Sequence, residues 1–307
     1  MKQSERTLTS SDLLQGSDCS TVEFNCHKAQ SIHEVNSLLA RYGQKARILV
    51  GGTDLLVMMK HSETQPEILV DISELPELDY IQLRDGFLEI GSTTTLASVE
   101  DSHLVKKHIP ILHEAVVTIA SRQLRNMASL GGNLCNASPA ADTTTSLMAL
   151  DAEVELTGSQ ATRSLSIEKF YAGVNKSIIG MDELLTKIRV PLSPPRTGTD
   201  FFKLGRTAED IAVVNGAVRL TLTSDGKFAD VRIALGAVAP VVMRAHEAEE
   251  LLVGNVPQES LIEKASLVAV GETKPITDIR ASASYRRAVT RTLLHQSFKN
   301  ALGRVDV

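Results

Sequence analysis

Ser129-Leu130-Gly131-Gly132-Asn133-Leu134-Cys135-Asn136-Ala137-Ser138-Pro139-Ala140-Ala141-Asp142 is the stretch on which the reading of this chain turns. Two glycines, two asparagines, two serines and an aspartate crowd fourteen residues just ahead of an apolar helical pattern. Polar side chains and backbone amides at that density cost stability unless a partner uses them. Alone, the segment reads as a turn-rich loop as readily as a ligand site. A second glycine pair lies upstream, in Leu49-Val50-Gly51-Gly52-Thr53-Asp54-Leu55. There a short apolar strand, Ala46 to Val50, runs through glycines into a helix start. Such a turn bares successive amides, and the helix dipole adds partial positive charge, so phosphate is a natural guest; a tight, capped strand–helix turn is the plain alternative. Neither loop is a Walker loop or a dinucleotide fingerprint, since Gly-Lys-Ser/Thr and Gly-x-Gly-x-x-Gly are both missing.

The rest of the composition narrows the field. A length of 307 residues suits two or three compact lobes. Lys and Arg total 32 against 37 Asp and Glu, a net charge of −5, which argues against a nucleic-acid coat. Seven Phe, four Tyr and no Trp leave the core to Val, Leu, Ile and Ala, with few rings for stacking bases. The best apolar run, Ile233 to Met243, is about half a membrane span and contains Pro240. Cys19, Cys26 and Cys135 are an odd, sparse set, unlike a secreted disulfide framework. Residues 1 to 20 carry no apolar signal stretch, so the chain is expected to be cytoplasmic.

Local patterns predict the elements. Residues 1 to 21 are polar and read as a flexible tail. Ser31-Ile32-His33-Glu34 forms a capping box that opens a helix ending at Gly43. Thr53 or Asp54 caps a second helix through Leu55, Leu56 and Met59, and a strand from Ile68 to Ile72 completes a βαβ-like unit. Phe87 to Gly91 is the clearest of the short strands that follow. Helices are expected over Leu96 to His108 and, led by Pro110, over Ile111 to Ser121. Ser138-Pro139 opens another, and Val154 and Leu156 alternate with glutamates as half-buried strands do. The prolines of Pro191 to Pro195 mark an internal boundary. Beyond it, strand-like runs at Asp210 to Thr223 and Val231 to Val238 flank a Ser224-Asp225-Gly226 hairpin turn. A last helix, Ser284 to Leu302, is expected to bury Tyr285, Ala288, Val289 and Leu293 and to turn Arg286, Arg287 and Arg291 outward. Antiparallel strand signals outweigh βα alternation, which favours an α+β class.

Taken together, the two glycine loops and the Gln123-Leu124-Arg125-Asn126 lead-in strongly resemble the FAD-binding (medium) subunit of the molybdenum hydroxylases, the xanthine dehydrogenase and carbon monoxide dehydrogenase type. Asp182-Glu183-Leu184-Leu185, Lys203 and Glu209-Asp210-Ile211-Ala212 carry the likeness further, from about Val22 to the C-terminus. The resemblance implies an α+β fold: a two-lobed FAD-binding domain of the vanillyl-alcohol-oxidase/PCMH type over residues 22–196, followed by a C-terminal α+β domain with an antiparallel sheet and helices over 200–307. The lobes would be about 22–75 and 76–196. It implies noncovalent FAD between the lobes, with amides of Leu49, Val50, Gly51, Gly52, Thr53, Asp54 and Leu55, and of Ser129, Gly131, Gly132 and Asn133, on the pyrophosphate and ribityl chain. Neutral amides suit an acidic chain, because they need no arginine cluster. By the same resemblance Asp142 anchors the ribityl or flavin end, Leu185 and Lys203 line the ring's edge, and Ile119 makes an adenine-side or ring-packing contact. Molybdopterin and 2Fe–2S clusters would sit only on partner chains, a large molybdopterin-binding subunit and a small 2Fe–2S subunit, in a dimer of heterotrimers with NAD or another acceptor.

Cys135 departs from the family pattern, where an aliphatic residue is common. Three cysteines with no close cluster cannot supply four thiolates for an iron–sulfur centre. His103, His108 and His113 recur every five residues and do not share a helix face. No His-Glu-x-x-His and no Gly-x-Ser-x-Gly occurs, so neither a metal site nor a catalytic residue is expected. Two alternatives stay open at this level: a self-contained FAD-dependent oxidase or reductase, and a flavin-free scaffold subunit.

Overall fold

The structure, a computed structural model, describes residues 24–305. The flexible tail expected over residues 1–21 lies outside the described residues. The first unit comprises β1 (Asn25–Lys28), α1 (Ile32–Tyr42), β2 (Ala46–Leu49), α2 (Leu55–Lys60) and β3 (Ile68–Asp71). Its strands form a parallel sheet in the order β1-β3-β2. The Ser31 hydroxyl accepts the Glu34 amide at 3.2 Å, as the capping box predicts, but the Glu34 carboxylate reaches past Ser31 to the Gln30 amide at 2.7 Å. Gly43, at φ 52, ends α1 in the left-handed region. Val35, Leu39, Ile68, Val70 and Leu78 close a small core beneath this sheet.

The second unit begins with β4 (Ile81–Arg84) and β5 (Phe87–Gly91). A helical stretch follows, α3 (Leu96–Asp101), α4 (His103–His108), α5 (Pro110–Val117), α6 (Arg122–Arg125), α7 (Leu130–Cys135) and α8 (Asp142–Ala149). The chain returns through β6 (Glu153–Thr157), β7 (Thr162–Ser166), β8 (Tyr171–Gly173), β9 (Lys176–Ser177) and β10 (Leu184–Pro191). Its main sheet is antiparallel, β4-β5-β10-β6-β7, and its core includes Leu88, Ile90, Leu112, Leu147 and Phe170. The helix expected over Leu96 to His108 is two helices: Ser102 ends α3 and caps α4, its hydroxyl accepting the Val105 amide at 3.3 Å. α5 stops at Val117 rather than Ser121, and Ala120, at φ 42, turns the chain away. Ser138-Pro139 does not open a helix. α8 starts at Asp142, with Ala141 as its N-cap.

The third unit contains β11 (Thr197–Leu204), β12 (Val214–Leu222), β13 (Phe228–Gly236), β14 (Met243–Arg244), α9 (His246–Leu252), α10 (Glu259–Glu272) and α11 (Ala283–Gly303). The strands pair antiparallel in sequence order. Both α8 and α11 pack on β12, which is why its residues from Val214 to Thr221 are all buried. α11 has the predicted length but a different buried face: Arg286, Thr290, Leu294, Phe298 and Ala301 point inward, while Tyr285 is exposed. The phase is set by Arg286, whose guanidinium donates to the Val213 and Ala237 carbonyls and to Asp278. Among the described residues no helix is long and apolar enough to cross a membrane.

Candidate functional site

β2 ends at Leu49, whose carbonyl accepts the Ile72 amide at 3.0 Å, and the chain then leaves the sheet through Val50, Gly51 and Gly52. Gly51 is there for packing: a Cβ would fall 1.8 Å from the Met127 carbonyl oxygen. The first loop is thereby pressed against the residues that lead into the second. Gly52, at φ 68, takes the left-handed turn that glycine makes without strain. From Gly51 through Leu55, five successive amides have no acceptor among the described residues. Asp54 is the N-cap residue of α2, yet its side chain makes no capping bond. Crowding by the surrounding walls strips water from its carboxyl and raises it above the ordinary value.

The second loop is built differently from the sequence expectation. A helix, α7, occupies its first half, and Ser129 caps it by accepting the Gly132 amide at 3.1 Å. Leu130 donates to the Thr94 carbonyl, Gly131 to that of Ser92 and Asn133 to that of Ser129. The amides of residues 130–133 are therefore engaged within the chain. Gly131 has no room for a Cβ, which would meet the Ser92 carbonyl at 2.6 Å, whereas a Cβ on the exposed Gly132 would meet only the Ser129 hydroxyl. Among the unengaged backbone donors of this region are those of the first turn of α8, residues 142–144, for which Ala141 supplies no side-chain cap.

Asp142 opens α8 and is nearly buried. Its Oδ2 accepts Lys203 Nζ at 2.7 Å and its Oδ1 accepts Asn215 Nδ2 at 2.5 Å. Lys203 also donates to the Thr118 carbonyl at 2.9 Å, and its side chain is 8% exposed. Burial pushes the Asp142 carboxyl up from its ordinary value, against the pull of Lys203 and Asn215. At the far end of the helix Asp151, at φ 53, accepts Arg219, Arg232 and Arg244 at 2.7, 2.8 and 2.9 Å. The third unit's sheet thus holds α8 by a carboxylate at each end.

These parts face one another across a cleft of about 260 Å³. Of the residues singled out from sequence, Thr53, Asp54, Ile119, Asn133, Asp142 and Lys203 line it. Leu49, Val50, Gly51, Gly52 and Leu55 form the turn behind Thr53. Ser129, Gly131 and Gly132 lie in the start of α7. Leu185 does not reach the cleft; it is buried in the core of the second unit. Arg125, named from sequence only within the lead-in to the second loop and given no place at the site, lines the wall, donates to the Ile119 and Ala120 carbonyls and pairs with Glu100 at 2.8 Å. Sequence reasoning missed Asn215, since nothing in an apolar strand run announces one polar ligand of a distant carboxylate. Cys135 is exposed and is not among the residues that line the cleft.

The donor set fits a diphosphate ester of neutral-amide type. A run of free N–H groups ends at one helix start, a second uncapped helix start faces the same space, and no unpaired arginine cluster is present among the described residues. Among those residues no group of three or more His, Cys, Asp or Glu is placed to hold a metal ion.

Comparison with known proteins agrees with this geometry. Residues 22–193 match the FAD binding domain in molybdopterin dehydrogenase, and residues 200–301 match the CO dehydrogenase flavoprotein C-terminal domain. The carbon monoxide dehydrogenase medium chain of Afipia carboxidovorans is 34% identical, over 92% of this chain and 97% of that one. The putative xanthine dehydrogenase FAD-binding subunit of Escherichia coli is 32% identical, over 90% and 95%. Among solved structures, carbon monoxide dehydrogenase from Hydrogenophaga pseudoflava superposes with a TM-score of 0.89 at 32% identity, covering 92% of this chain and 98% of that one. Quinoline 2-oxidoreductase from Pseudomonas putida gives 0.87 at 28% identity, covering 94% and 100%. The chain belongs to the FAD-binding subunits of the molybdopterin dehydrogenases, a family of oxidoreductases.

Proposed function

We propose that this chain is the electron-transfer flavoprotein subunit of a cytoplasmic, multi-subunit molybdenum hydroxylase, taking electrons from 2Fe–2S clusters on a small partner and delivering them to NAD or another acceptor. A large partner would carry molybdopterin and the organic substrate, within a dimer of heterotrimers. The observation that carries the reading is the row of free amides at residues 51–55, facing the uncapped start of α8 across one cleft. Relatives named as medium chains support a heteromer.

In this reading Gly51, Gly52, Thr53, Asp54 and Leu55 bind the pyrophosphate through their amides, with Leu49 and Val50 fixing the strand end. Ser129, Gly131 and Gly132 shape the second wall, Asn133 and Ile119 line it, and Asp142 with Lys203 fixes one end of the cleft. Leu185 would act from the core, by setting the sheet behind the cleft. FAD, when bound, supplies the redox chemistry that no side chain of the cleft can perform. The chain's own part is to bind and orient it. The division into lobes of about 22–75 and 76–196 and a domain over 200–307 belongs to the same reading; three cores follow it, apart from Leu78 and Leu184 in the first and Ala217, Ala234 and Val242 in the second.

The test is anaerobic. Candidate organic substrates are presented, without NADH, to the isolated yellow chain, and the flavin band is followed. The band should persist, and addition of the molybdenum and cluster chains should bleach it. Rapid bleaching of the isolated chain would mean a self-sufficient flavoenzyme, and a purified chain that takes up no FAD would mean a scaffold.

A further inference from the structure

Asn215 lies on β12 with no solvent exposure, and its amide is directed entirely at the start of α8. Nδ2 donates to Asp142 Oδ1 at 2.5 Å and to the Ala140 carbonyl at 3.1 Å, while Oδ1 accepts the Thr145 hydroxyl at 3.1 Å. Its cross-strand neighbour is Gly236 on β13, where a Cβ would fall 2.0 Å from Asn215 Oδ1 and 2.8 Å from Thr145 Oγ1. The absence of a side chain at Gly236 therefore makes the room that this amide occupies. Leucine would fill a similar volume without needing partners, so packing alone does not account for asparagine here. What the amide adds is direction. With one carboxylate oxygen held by Asn215 and the other by Lys203, Asp142 cannot turn about its terminal bond without losing a charge-assisted contact.

We propose that Asn215 is a positioning residue for the flavin: from the C-terminal sheet it fixes the Asp142 carboxylate at the cleft wall, and so sets cofactor affinity without lining the cleft. The proposal rests on the reading of this cleft as the FAD site. Lys203 on β11 is the charged group paired with Asp142; the other charged groups that line the same cleft are Asp54 at the start of α2, Arg125 on α6, and Glu209 and Asp210 between β11 and β12.

The full-length chain, stripped of flavin, is titrated with FAD by fluorescence quenching, and the thermal unfolding of each variant is recorded alongside. Asn215→Leu should weaken FAD binding by about tenfold or more. Ser146→Ala removes another buried hydrogen bond of α8, to the Ile111 carbonyl, without touching Asp142. It should stay within about threefold of wild-type affinity at a comparable loss of stability. Asn215→Asp, of equal size, sets a second carboxylate against Asp142. Its affinity deficit relative to wild type should shrink about threefold or more from about pH 8 to about pH 6, as the pair takes up a shared proton. A purely structural role for Asn215 would move the unfolding temperature of this variant with pH and leave the FAD affinity of its folded form unchanged.

If Asp142→Asn loses FAD while Asn215→Leu keeps it, or if the Asn215→Asp deficit ignores pH, the proposal is overturned and the site reading stands. If Asp142→Asn binds FAD like the wild type, the proposal falls together with the role of Asp142; if the wild-type chain takes up no FAD, the site reading itself falls. Should Asn215→Leu fail to fold, Asn215→Asp carries the test.

Discussion

Lys203 Nζ stands 2.7 Å from Asp142 Oδ2, with 8% and 7% of the two side chains exposed. The pair joins β11 to the first residue of α8 and lies at the wall of the cleft. Lys203→Met would leave a buried carboxylate with only a neutral donor. A loss of about 3–5 kcal/mol of stability is expected. The double variant Asp142→Asn/Lys203→Met should lose clearly less than the sum of its single changes, because each single change strands the other partner. Urea denaturation of the four proteins measures this, and additive losses would contradict a coupled pair.

The two glycine loops should respond differently to substitution. Gly51→Ala drives a methyl into the Met127 backbone, and an overpacked contact of that kind costs about 1–3 kcal/mol. Both flavin content and unfolding temperature should fall. Gly132→Val meets only the Ser129 hydroxyl, which can rotate at the expense of a cap worth about 1 kcal/mol. That variant should stay folded but lose its FAD, because the branched side chain blocks approach to the start of α7. Full FAD occupancy in Gly132→Val would remove this loop from the site.

The flavin should be FAD, noncovalent, and present once per chain. The free amides of residues 51–55 are more than a single phosphate needs, which favours a pyrophosphate over FMN. Acid precipitation should release all the yellow colour into the supernatant as FAD. Colour kept in the pellet would point to a covalent link.

Acid stability should report on Asp278. Desolvation would raise this carboxyl, but the amides of Arg280 and Ala281 and the guanidinium of Arg286 outweigh it and hold it at about 2. Its folded value is thus below its unfolded one, so the native state binds fewer protons over the interval between them. The contribution is complete above the ordinary aspartate value and is lost as pH falls from there through about 2. Unfolding midpoints of the wild type should drop across that interval more steeply than those of Asp278→Asn. Parallel pH profiles would show that Arg286 does not depend on this carboxylate.

What the sequence disclosed was local. The Gly51-Gly52 turn, the Gly43 stop and the Gly226 hairpin each announce a backbone requirement within a few residues, and each stands where expected. The division of labour between the loops was hidden, because the acceptors that engage the 130 and 131 amides, Thr94 and Ser92, come from the β5–α3 connection. The Ser138-Pro139 pair imitates a helix start but closes a turn, with the Ala141 amide on the Ser138 carbonyl. The phase of α11 was misread because an arginine was assigned to solvent by type, although its buried guanidinium has three hydrogen-bond partners. Asn215 and Asp142 are 73 residues apart, and only the folded sheet brings them together.

The grip of the C-terminal sheet on both ends of α8 also has a bearing on biosynthesis. The amides at 51–55 leave the ribosome early, whereas Lys203, Asn215, Arg219, Arg232 and Arg244 leave late. At roughly 5–20 residues per second the interval is on the order of ten to thirty seconds. Through that time the nascent chain has one wall of its cleft but not the strands that orient the other. Cofactor capture is accordingly expected only after those strands have emerged, and a chain terminated ahead of them should be released colourless.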